Sequence, residues 1–288
     1  MNLADMATNP AVSVCLPTYN SAPFIKRTIR HLQSQTYSDF RVLISDDAST
    51  DETVEFIKLA ISGDGRFELI THQNNIGWVE NTNFLLNKAA LDSKYVFIHP
   101  HDDIIAPGYI QTLINAFQYH PGTALICTDI KCYYTNGQSG VFSIPVPAPG
   151  SSQIRQFIQR KNHWWVAYRG MMSSEVVLSC LPKEKNIFGS VEFFADWTWL
   201  LKISTHGKII RVPEVLYTKY YQPKSLSVNW ESSLINILGN FFTGWLIIIR
   251  SDLSLKEKLL LSKSILFQVL KHLGAKMAHK TKKPYSLK

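Results

Sequence analysis

Four short apolar runs in the sequence each end abruptly at a cluster of polar residues. The runs begin at Val12, Phe40, Phe67 and Tyr95, and all contain β-branched or aromatic residues. The polar clusters that follow lie at residues 17–20, 45–51, 74–77 and 101–103. Short apolar runs bounded by polar clusters are typical of buried β-strands.

Helical patterns fill the gaps between these runs. Apolar residues recur there at the spacing of one helix face, at Ile25, Ile29 and Leu32, at Val54, Ile57 and Ile61, and at Ile110, Leu113, Ile114 and Phe117. Pro107 suits the start of the last helix. Alternating strands and helices predict an α/β fold with a parallel sheet and right-handed crossovers. The polar clusters then lie along one edge of the sheet, where such sheets bind ligands.

The fourth run ends in two adjacent carboxylates, Asp102 and Asp103. Adjacent like charges repel each other, and an apolar strand end stabilises neither of them. A divalent cation or a row of hydrogen-bond donors would stabilise the pair, and hard cations usually bring phosphate oxygens with them. The pair therefore indicates a metal–diphosphate site. The alternative is a solvated turn that happens to hold two Asp residues.

The four clusters resemble the motifs of the inverting glycosyltransferases of family 2, in the same order and at the same separations. The motifs are Val-Ser-Val-Cys-Leu-Pro-Thr-Tyr-Asn at 12–20, Ser-Asp-Asp-Ala-Ser-Thr-Asp at 45–51, Asn-Ile-Gly at 75–77 and His-Asp-Asp at 101–103. The resemblance covers about residues 11–222. It implies the GT-A fold, a Rossmann-like and mostly parallel sheet flanked by helices. It also implies an enzyme of the kind that builds bacterial surface polysaccharides.

The resemblance implies a donor site for a nucleotide sugar, a UDP-sugar in the first instance. Asp46 and Asp47 match an acidic pair that lies near the base, and one of them accepts from uracil N3–H. Asn81 and Asn83 lie where the family often places polar residues that contact the nucleotide. The residues that match the family's base and ribose site are Pro17, Thr18, Tyr19 and Asn20.

The two adjacent carboxylates divide their roles in the same way. Asp103 is expected to hold Mg²⁺ or Mn²⁺ and Asp102 to contact the ribose, and the reverse division stays open. Many relatives read Asp-x-Asp-Asp, whereas Pro100 takes the first Asp position here. His99 and His101 flank the pair. Because hard cations prefer oxygen ligands, we interpret both histidines as pocket-lining or exposed residues.

The general base is expected downstream, in the segment 193–202. It resembles the family's Glu-Asp segment, in which the Asp opens a helix and takes the proton of the acceptor hydroxyl; Asp196 matches that Asp, and Ala195 replaces the Glu. Neighbouring aromatic residues would desolvate Asp196 partly and so strengthen it as a base. A helix N-cap is the alternative role for Asp196, and Glu192 is the alternative base.

Further residues are expected around the acceptor and the leaving group. Lys219 or Lys224 is a candidate to neutralise the diphosphate, although the family's motif is hard to align there. Four tryptophans are candidates for an acceptor platform, with a place in the core as the better expectation: Trp164, Trp165, Trp197 and Trp199.

The length of 288 residues predicts a catalytic domain and an appendage. We place the GT-A domain at residues 1–228, with a nucleotide-sugar half at about 11–130 and an acceptor half at 151–228, linked by a loop at 141–152. Residues 229–288 form a helical, basic appendage. Ser254 and Glu257 form a capping box that starts a helix with an apolar leucine stripe, which either lies in a membrane interface or docks on the domain, and Gly274 suits its end.

The charge of the chain is concentrated in this appendage. Residues 250–288 hold ten Lys or Arg against two acidic residues, which equals the formal net charge of the whole chain, +8. A basic tail predicts a polyanionic partner, and no recognition motif supports nucleic acid. We therefore expect an anionic membrane surface. Residues 232–249 are an uncharged stretch that either inserts in a membrane as a borderline-short span or packs on the domain.

The location follows from two further features. The first ten residues carry no Lys or Arg, so no signal peptide is expected, and the four cysteines lack metal-site spacing and are expected to be reduced. The protein is thus expected in the cytoplasm, peripheral on the inner face of the plasma membrane.

The predicted function is transfer of a sugar from a nucleotide-diphosphate sugar to a hydroxyl of a lipid-linked or polysaccharide acceptor, with inversion. One alternative is a sugar-nucleotide nucleotidyltransferase, which usually carries a Gly-rich phosphate loop that residues 12–30 lack. The other is a non-catalytic protein that binds nucleotide sugars.

Overall fold

The computed structural model describes residues 9–145, 150–160, 163–222 and 233–281, with side chains up to residue 274. Within these residues nine strands form one sheet, in the order β3-β2-β1-β4-β8-β6-β9-β5, with β7 paired to β6. The strands are β1 Val12–Thr18, β2 Phe40–Asp46, β3 Phe67–Thr71, β4 Tyr95–Ile98, β5 Ile104–Ile105, β6 Thr123–Tyr133, β7 Ser139–Phe142, β8 Met171–Ser173 and β9 Lys208–Tyr220.

Helices cover the sheet. They are α1 Ile25–Gln33, α2 Thr53–Ile61, α3 Trp78–Asp92, α4 Tyr109–Tyr119, α5 Ser151–Ile158, α6 Ser174–Cys180, α7 Ala195–Thr205, α8 Leu234–Arg250 and α9 Leu255–Thr281. A 3₁₀ helix at Trp164–Arg169 precedes β8. The α/β class predicted from the alternating pattern is thus confirmed.

The first half of the sheet follows the predicted pattern. Strands β1, β2, β3 and β4 pair in parallel, and every residue of β1 is buried. A strand buried on both faces is mostly apolar, which is why β1 does not alternate between apolar and polar residues. The predicted faces of α1 and α4 are buried as well, with Ile25, Ile29 and Leu32 fully covered, whereas the face of α2 is only partly buried. The carboxyl ends of β1, β2 and β4 therefore meet at one edge.

The second half of the sheet is mixed, which the sequence pattern did not indicate. Strand β8 lies between β4 and β6 and runs antiparallel to both, whereas β6 and β9 are parallel to each other. Because β8 and β9 belong to the predicted acceptor half, the two halves share one continuous sheet. The predicted linker at 141–152 overlaps the end of β7 and the start of α5, and its residues 146–149 lie outside the described part.

The last two helices pack on this body. Phe241 and Ile248 of α8 are buried, with Phe241 against the Trp197 ring of α7, so residues 234–249 pack on the domain. The capping box of α9 is confirmed: Ser254 N–H donates to Glu257 Oε2 at 3.1 Å, and Glu257 N–H donates back to Ser254 Oγ at 3.4 Å. None of the helices in the described ranges is long and apolar enough to cross a membrane.

The predicted end of α9 is wrong. The helix continues past Gly274 to Thr281. A glycine inside a helix costs about 1 kcal/mol relative to alanine, and the alanine and lysine residues that follow favour the helix enough to continue it.

Candidate active site

The polar clusters of β1 and β2 form a network at the edge of the sheet. Asp46 is buried and accepts from Thr18 Oγ1 at 3.1 Å, from Ser49 Oγ at 2.6 Å and from Ser49 N–H at 2.9 Å. Asp47 is also buried and accepts from the N–H groups of Ile76 and Gly77 at 2.7 and 3.0 Å. These two carboxylates hold the loops that border the edge.

The residues that follow β1 differ in their access to solvent. Pro17 lies inside β1 and is buried, as is Thr18. Tyr19 is 45% exposed, so its ring is available to a ligand. Asn20 has a left-handed backbone, and its Oδ1 accepts from Thr50 N–H at 2.9 Å, which ties this turn to the loop after β2. The exposed ring of Tyr19 thus lies beside two loops that hydrogen bonds join to each other.

Helix α3 contributes two buried amides. Asn81 donates through Nδ2 to Ser45 O at 3.0 Å, and its Oδ1 is buried without a hydrogen-bond partner. Asn83 accepts through Oδ1 from Lys183 N–H at 2.9 Å, and its Nδ2 is buried without a partner. Glu192, the alternative base, accepts from Trp78 N–H at 3.0 Å and so caps the start of α3.

The adjacent carboxylates occupy different environments. Asp103 is fully buried, and its Oδ2 accepts from Arg169 Nε at 2.7 Å. Burial raises the pKa of Asp103, but the positive charges of Arg169 and Lys219 outweigh burial, so the pKa lies below its ordinary value. Asp103 as the metal ligand stays a prediction, and its ion pair with Arg169 and its burial favour the reverse division, with Asp102 as the metal contact.

Asp102 is the carboxylate that remains accessible. It is partly exposed, and its pKa is raised by burial and by the neighbouring charge of Asp103, while Lys219 acts in the opposite direction. Its backbone oxygen accepts from Arg27 at 3.0 Å. Lys219 therefore lies close to the acidic pair, as one of the two lysine candidates was expected to do; Lys224 lies outside the described residues.

The two flanking histidines are not equivalent. His99 is fully buried, its Nδ1 forms a hydrogen bond with the Tyr217 hydroxyl at 3.0 Å, and burial lowers its pKa to about 4. It is a neutral core residue at pH 7. His101 is partly exposed, and its ring stacks on Phe24.

Asp196 lies at the start of α7 in a partly buried position. Its Oδ1 accepts from Trp197 N–H at 2.9 Å, as a residue at a helix N-terminus can. Burial raises the pKa of Asp196, and Lys183, Arg169 and Arg160 oppose that rise. A carboxylate held above its ordinary pKa beside buried cations is suited to proton transfer.

The tryptophans confirm the expectation of a core role. Trp197 is fully buried and donates through Nε1 to Phe157 O at 2.8 Å, Trp199 is 1% exposed, and Trp164 is 9% exposed. Trp165 is partly buried against the core, so it alone of the four tryptophans keeps appreciable access to solvent. The four cysteines are free and buried.

Comparison with known proteins identifies this arrangement. The family model for glycosyl transferase family 2 matches residues 13–173, which is more than half of the chain. The chain belongs to this family. The resemblance seen in the sequence motifs is thereby confirmed.

Individual relatives of this glycosyltransferase are distant. Glycosyltransferase GlyG of Streptococcus pneumoniae is 28% identical over 107 residues, which are 37% of this chain and 35% of that protein. Chondroitin synthase of Escherichia coli is 28% identical over 228 residues, which are 76% of this chain and 30% of that protein. The matched region thus spans about a third of the length of each relative.

Solved structures show the same fold. Residues 1–349 of S. aureus TarS in complex with UDP-GlcNAc superpose with a TM-score of 0.70 at 18% identity, covering 88% of this chain and 71% of that one. A mannosyltransferase of Pyrobaculum calidifontis in complex with GDP-Man and Mn²⁺ superposes with a TM-score of 0.59 at 15% identity, covering 97% and 77%.

Sequence reasoning missed the buried cations of this family 2 enzyme. Arg169, Arg160 and Lys183 come from separate segments and meet near Asp196 only in the fold. In the sequence no spacing distinguishes any of the three from a basic residue at the surface. A buried carboxylate needs a partner, but the sequence does not say which segment provides it.

The Asp103–Arg169 pair generates a prediction about stability. Arg169→Met leaves a buried carboxylate without its cation and is expected to cost about 3–5 kcal/mol in the free energy of unfolding. The double variant Arg169→Met/Asp103→Leu removes both charges and is expected to recover most of that loss. Urea unfolding measures both, and Lys88→Met, from the exposed pair with Glu68, is the control, with an expected cost of about 0–1 kcal/mol.

The same pair predicts the sign of a pH effect. Because the pKa of Asp103 is lower in the folded than in the unfolded chain, its ionisation stabilises the fold at pH values above the unfolded carboxyl pKa of about 4. This contribution is lost as the pH falls through the folded pKa. The cost of Asp103→Asn should thus be largest at pH 7 and shrink in acid. A cost that grows on acidification would contradict the pairing.

Proposed function

We propose that this family 2 enzyme transfers a sugar from a UDP-sugar to a hydroxyl of a lipid-linked or polysaccharide acceptor, with inversion at the anomeric carbon. The observation that carries the proposal is Asp196, a partly buried carboxylate with a raised pKa beside buried cations. The solved neighbours bind UDP-GlcNAc and GDP-Man, which supports a nucleotide-sugar donor.

The donor nucleotide lies, in this proposal, along the edge formed by β1 and β2. The exposed ring of Tyr19 stacks on the base, because every base has an apolar face. Asp46 and Asp47 position the loops, and one of them meets the base N–H. The unpartnered Oδ1 of Asn81 is a further acceptor at this edge. The other contributors are Pro17, Thr18 and Asn20.

The chemical step needs one base. The acceptor hydroxyl gives its proton to Asp196 as its oxygen bonds to the anomeric carbon. The bond from that carbon to the diphosphate oxygen breaks, and the electron pair leaves with the diphosphate. Attack from the face opposite the leaving group inverts the configuration. Oδ1 of Asp196 is held by Trp197 N–H, which leaves the other oxygen for the proton.

The acidic pair fits a divalent cation through Asp102. In the described residues no three His, Cys, Asp or Glu side chains form a cluster able to hold a metal. One accessible carboxylate suits Mg²⁺ or Mn²⁺ when the donor phosphates and water supply the remaining ligands. Bound there, the ion would offset the leaving-group charge. We therefore propose Asp102 as the metal contact, with Arg169 holding Asp103 behind it and Lys219 beside the pair.

The exposed face of α9 supports a membrane-bound acceptor. Leu261 and Ile265 pack on the body, whereas other leucines of α9 face outward. The exposed fractions are 74% for Leu255, 57% for Leu259, 58% for Leu266 and 58% for Leu270. Of these leucines, Leu259 and Leu266 line an apolar groove of about 880 Å³ together with α8, and Lys263 borders it. Leucines beside lysines match an anionic bilayer surface.

Replacement of the base tests the proposed function. Asp196→Asn keeps the shape and the contact with Trp197 N–H but cannot take the proton, so sugar transfer should fall by about 10²–10⁴-fold while UDP binding is retained. Release of UDP from a panel of UDP-sugars, with a lipid-linked acceptor fraction, measures turnover, and NMR of the product gives the anomer.

The control for this variant is Glu192→Gln. A carboxamide still accepts from Trp78 N–H, so the cap of α3 is kept and activity should change little. Loss of turnover in Glu192→Gln with a normal rate in Asp196→Asn would make Glu192 the base. A product that retains the donor's configuration would refute the single-base mechanism.

Metal dependence is tested by Asp102→Asn. If Asp102 contacts the ion, binding of UDP measured by calorimetry should lose its enhancement by Mn²⁺, and kcat/KM should fall by at least about 100-fold. Asp39→Asn, an exposed Asp outside the site, is the control and should behave like the native enzyme. Undiminished turnover in excess chelator would assign charge neutralisation to Lys219 instead.

Membrane association is tested with vesicles. The enzyme should sediment with vesicles that contain phosphatidylserine and not with pure phosphatidylcholine, and salt should weaken the binding. Leu266→Gln/Leu270→Gln and Lys256→Gln/Lys263→Gln should each reduce it at least about fivefold, since each lysine contributes roughly 1 kcal/mol. The control removes two exposed lysines elsewhere, Lys58→Gln/Lys208→Gln.

Point variants are preferable to truncation after Ile249, because Leu261 and Ile265 of α9 cover the core. Equal binding by native and leucine-replaced enzyme would remove this face from membrane contact. If the enzyme forms concentration-dependent dimers and the same leucine replacements dissociate them, the face binds a second copy of the chain.

A further inference from the structure

Lys183 is a fully buried lysine that the proposed mechanism does not use. It is 1% exposed, and its Nζ donates to the Tyr168 hydroxyl at 2.8 Å. Its backbone N–H donates to Asn83 Oδ1, which fixes the residue between α3 and the 3₁₀ helix. Burying an ammonium group is costly unless surrounding groups stabilise its charge, so the presence of this lysine requires a reason.

Aromatic rings surround the ammonium group of Lys183. Nζ lies 4.7 Å from the centre of the Trp78 ring, 4.9 Å from that of Tyr168 and 5.6 Å from that of Trp199. Ring faces attract a cation and offer much less to a neutral amine. The cage therefore favours the charged form of the lysine.

Among the described residues no carboxylate forms a direct ion pair with Lys183, unlike Arg169, which pairs with Asp103. Besides Asp196, whose charge acts on Lys183, the titratable groups that interact with it are Tyr168, through the hydrogen bond, and Cys15. Burial raises the pKa of the Tyr168 hydroxyl and raises that of the Cys15 thiol to about 12, so both are neutral at pH 7. The compensating negative charge thus comes from Asp196.

Lys183 approaches α7 on the helix face that carries Asp196. Trp199, whose ring contacts the ammonium, lies three residues after Asp196, and residues with that spacing share a helix face. Burial lowers the pKa of Lys183 to about 7, and Asp196 acts in the opposite direction. Lys183 in turn lowers the pKa of Asp196, together with Arg169 and Arg160, against the effect of burial.

We propose that Lys183 is a positioning residue for the general base: its caged ammonium keeps the Asp196 carboxylate ionised, and therefore able to accept a proton, in weakly acidic solution. This inference rests on the proposed role of Asp196 as the base. The lysine is charged below about pH 7, which includes the range in which a partly buried carboxylate titrates. Arg169 and Arg160 add to the field, but Arg169 is committed to Asp103 and Arg160 is stacked on rings.

The proposal predicts an opposition between stability and activity. The folded pKa of Lys183 lies below its ordinary value of 10.5, so the charged lysine opposes folding at all pH values below that value, most strongly below the folded pKa of about 7. Lys183→Met has a similar length and no charge. At pH 6 it should unfold at the same or a higher urea concentration than the native enzyme. A lysine kept for packing alone would give the opposite result.

The test is the pH profile of kcat/KM, measured as UDP release from the UDP-sugar that gives the fastest turnover. In Lys183→Met the acid limb should move up by about one to two pH units, because one neighbouring positive charge has been removed from Asp196. On the alkaline side of that limb the rate should lie within about threefold of native, because Asp196 is ionised there in both. UDP binding should be unchanged.

Lys202→Met is the matched control, since Lys202 lies on α7 but pairs with Glu184 at 2.9 Å. Its acid limb should stay in place. The inference would be overturned if the acid limb of Lys183→Met lay at the same pH as that of the native enzyme. It would also be overturned if Lys183→Met unfolded at a lower urea concentration than the native enzyme at pH 6. In the Asp196→Asn background, Lys183→Met should cause no further shift. If Asp196→Asn leaves the acid limb of the pH profile in place, Asp196 is not the base and the proposed function fails. If Asp196→Asn removes the acid limb but Lys183→Met does not move it, only the inference about Lys183 fails.

Discussion

The buried ion pair between Asp103 and Arg169 joins the two parts of the catalytic region. Asp103 follows β4, and Arg169 ends the 3₁₀ helix that leads into β8, the strand that pairs with β4. Neither charge tolerates burial alone, so the pair fixes the register between the donor edge and the segment that follows. The residue before Arg169, Tyr168, contacts Lys183, so one turn of 3₁₀ helix serves both the acidic pair and the base.

Around the base, burial and charge act against each other. Burial raises the pKa of Asp196 and so favours its protonated form, whereas too much positive charge would make it too weak a base. Burial also acts on the neighbouring cations, because it lowers the pKa of Lys183 to about 7 and that of Arg160 to about 10. Aromatic rings, instead of carboxylates, stabilise the charges of Lys183 and Arg160. Neither cation therefore cancels the charge of Asp196 through a direct ion pair.

Helix α9 shows how one element serves two surfaces. Its Leu261 and Ile265 cover the body, while Leu259 and Leu266 face outward. A leucine stripe read from the sequence is compatible with either packing or exposure, because the period of a helix identifies a face and not its partner. The structure packs the helix by the adjacent face. Apolar side chains thus remain at the surface beside the lysines.

Much of the fold follows from the sequence alone. The apolar runs and helical spacings located β1 to β4 and helices α1, α2 and α4, since burial on both faces of a parallel sheet imposes a local pattern. The motifs at 12–20, 45–51 and 101–103 indicated the family, because parallel strands present their carboxyl ends at one edge. The capping box before α9 was equally readable, as it involves only residues three apart.

The tertiary structure decided what depends on partners distant in sequence. It inserted β8 between β4 and β6, a short strand of three residues that carries too little pattern to detect. It also gave Asp102 and Asp103 different environments. The two residues are identical and adjacent in sequence, so they differ only in the side chains that the fold packs against them. The burial of Lys183 could not be predicted from the sequence, because it also depends on side chains from distant segments. A residue type and its spacing state what a side chain can do, but its proton affinity depends on the charges and on the solvent that the whole chain brings around it.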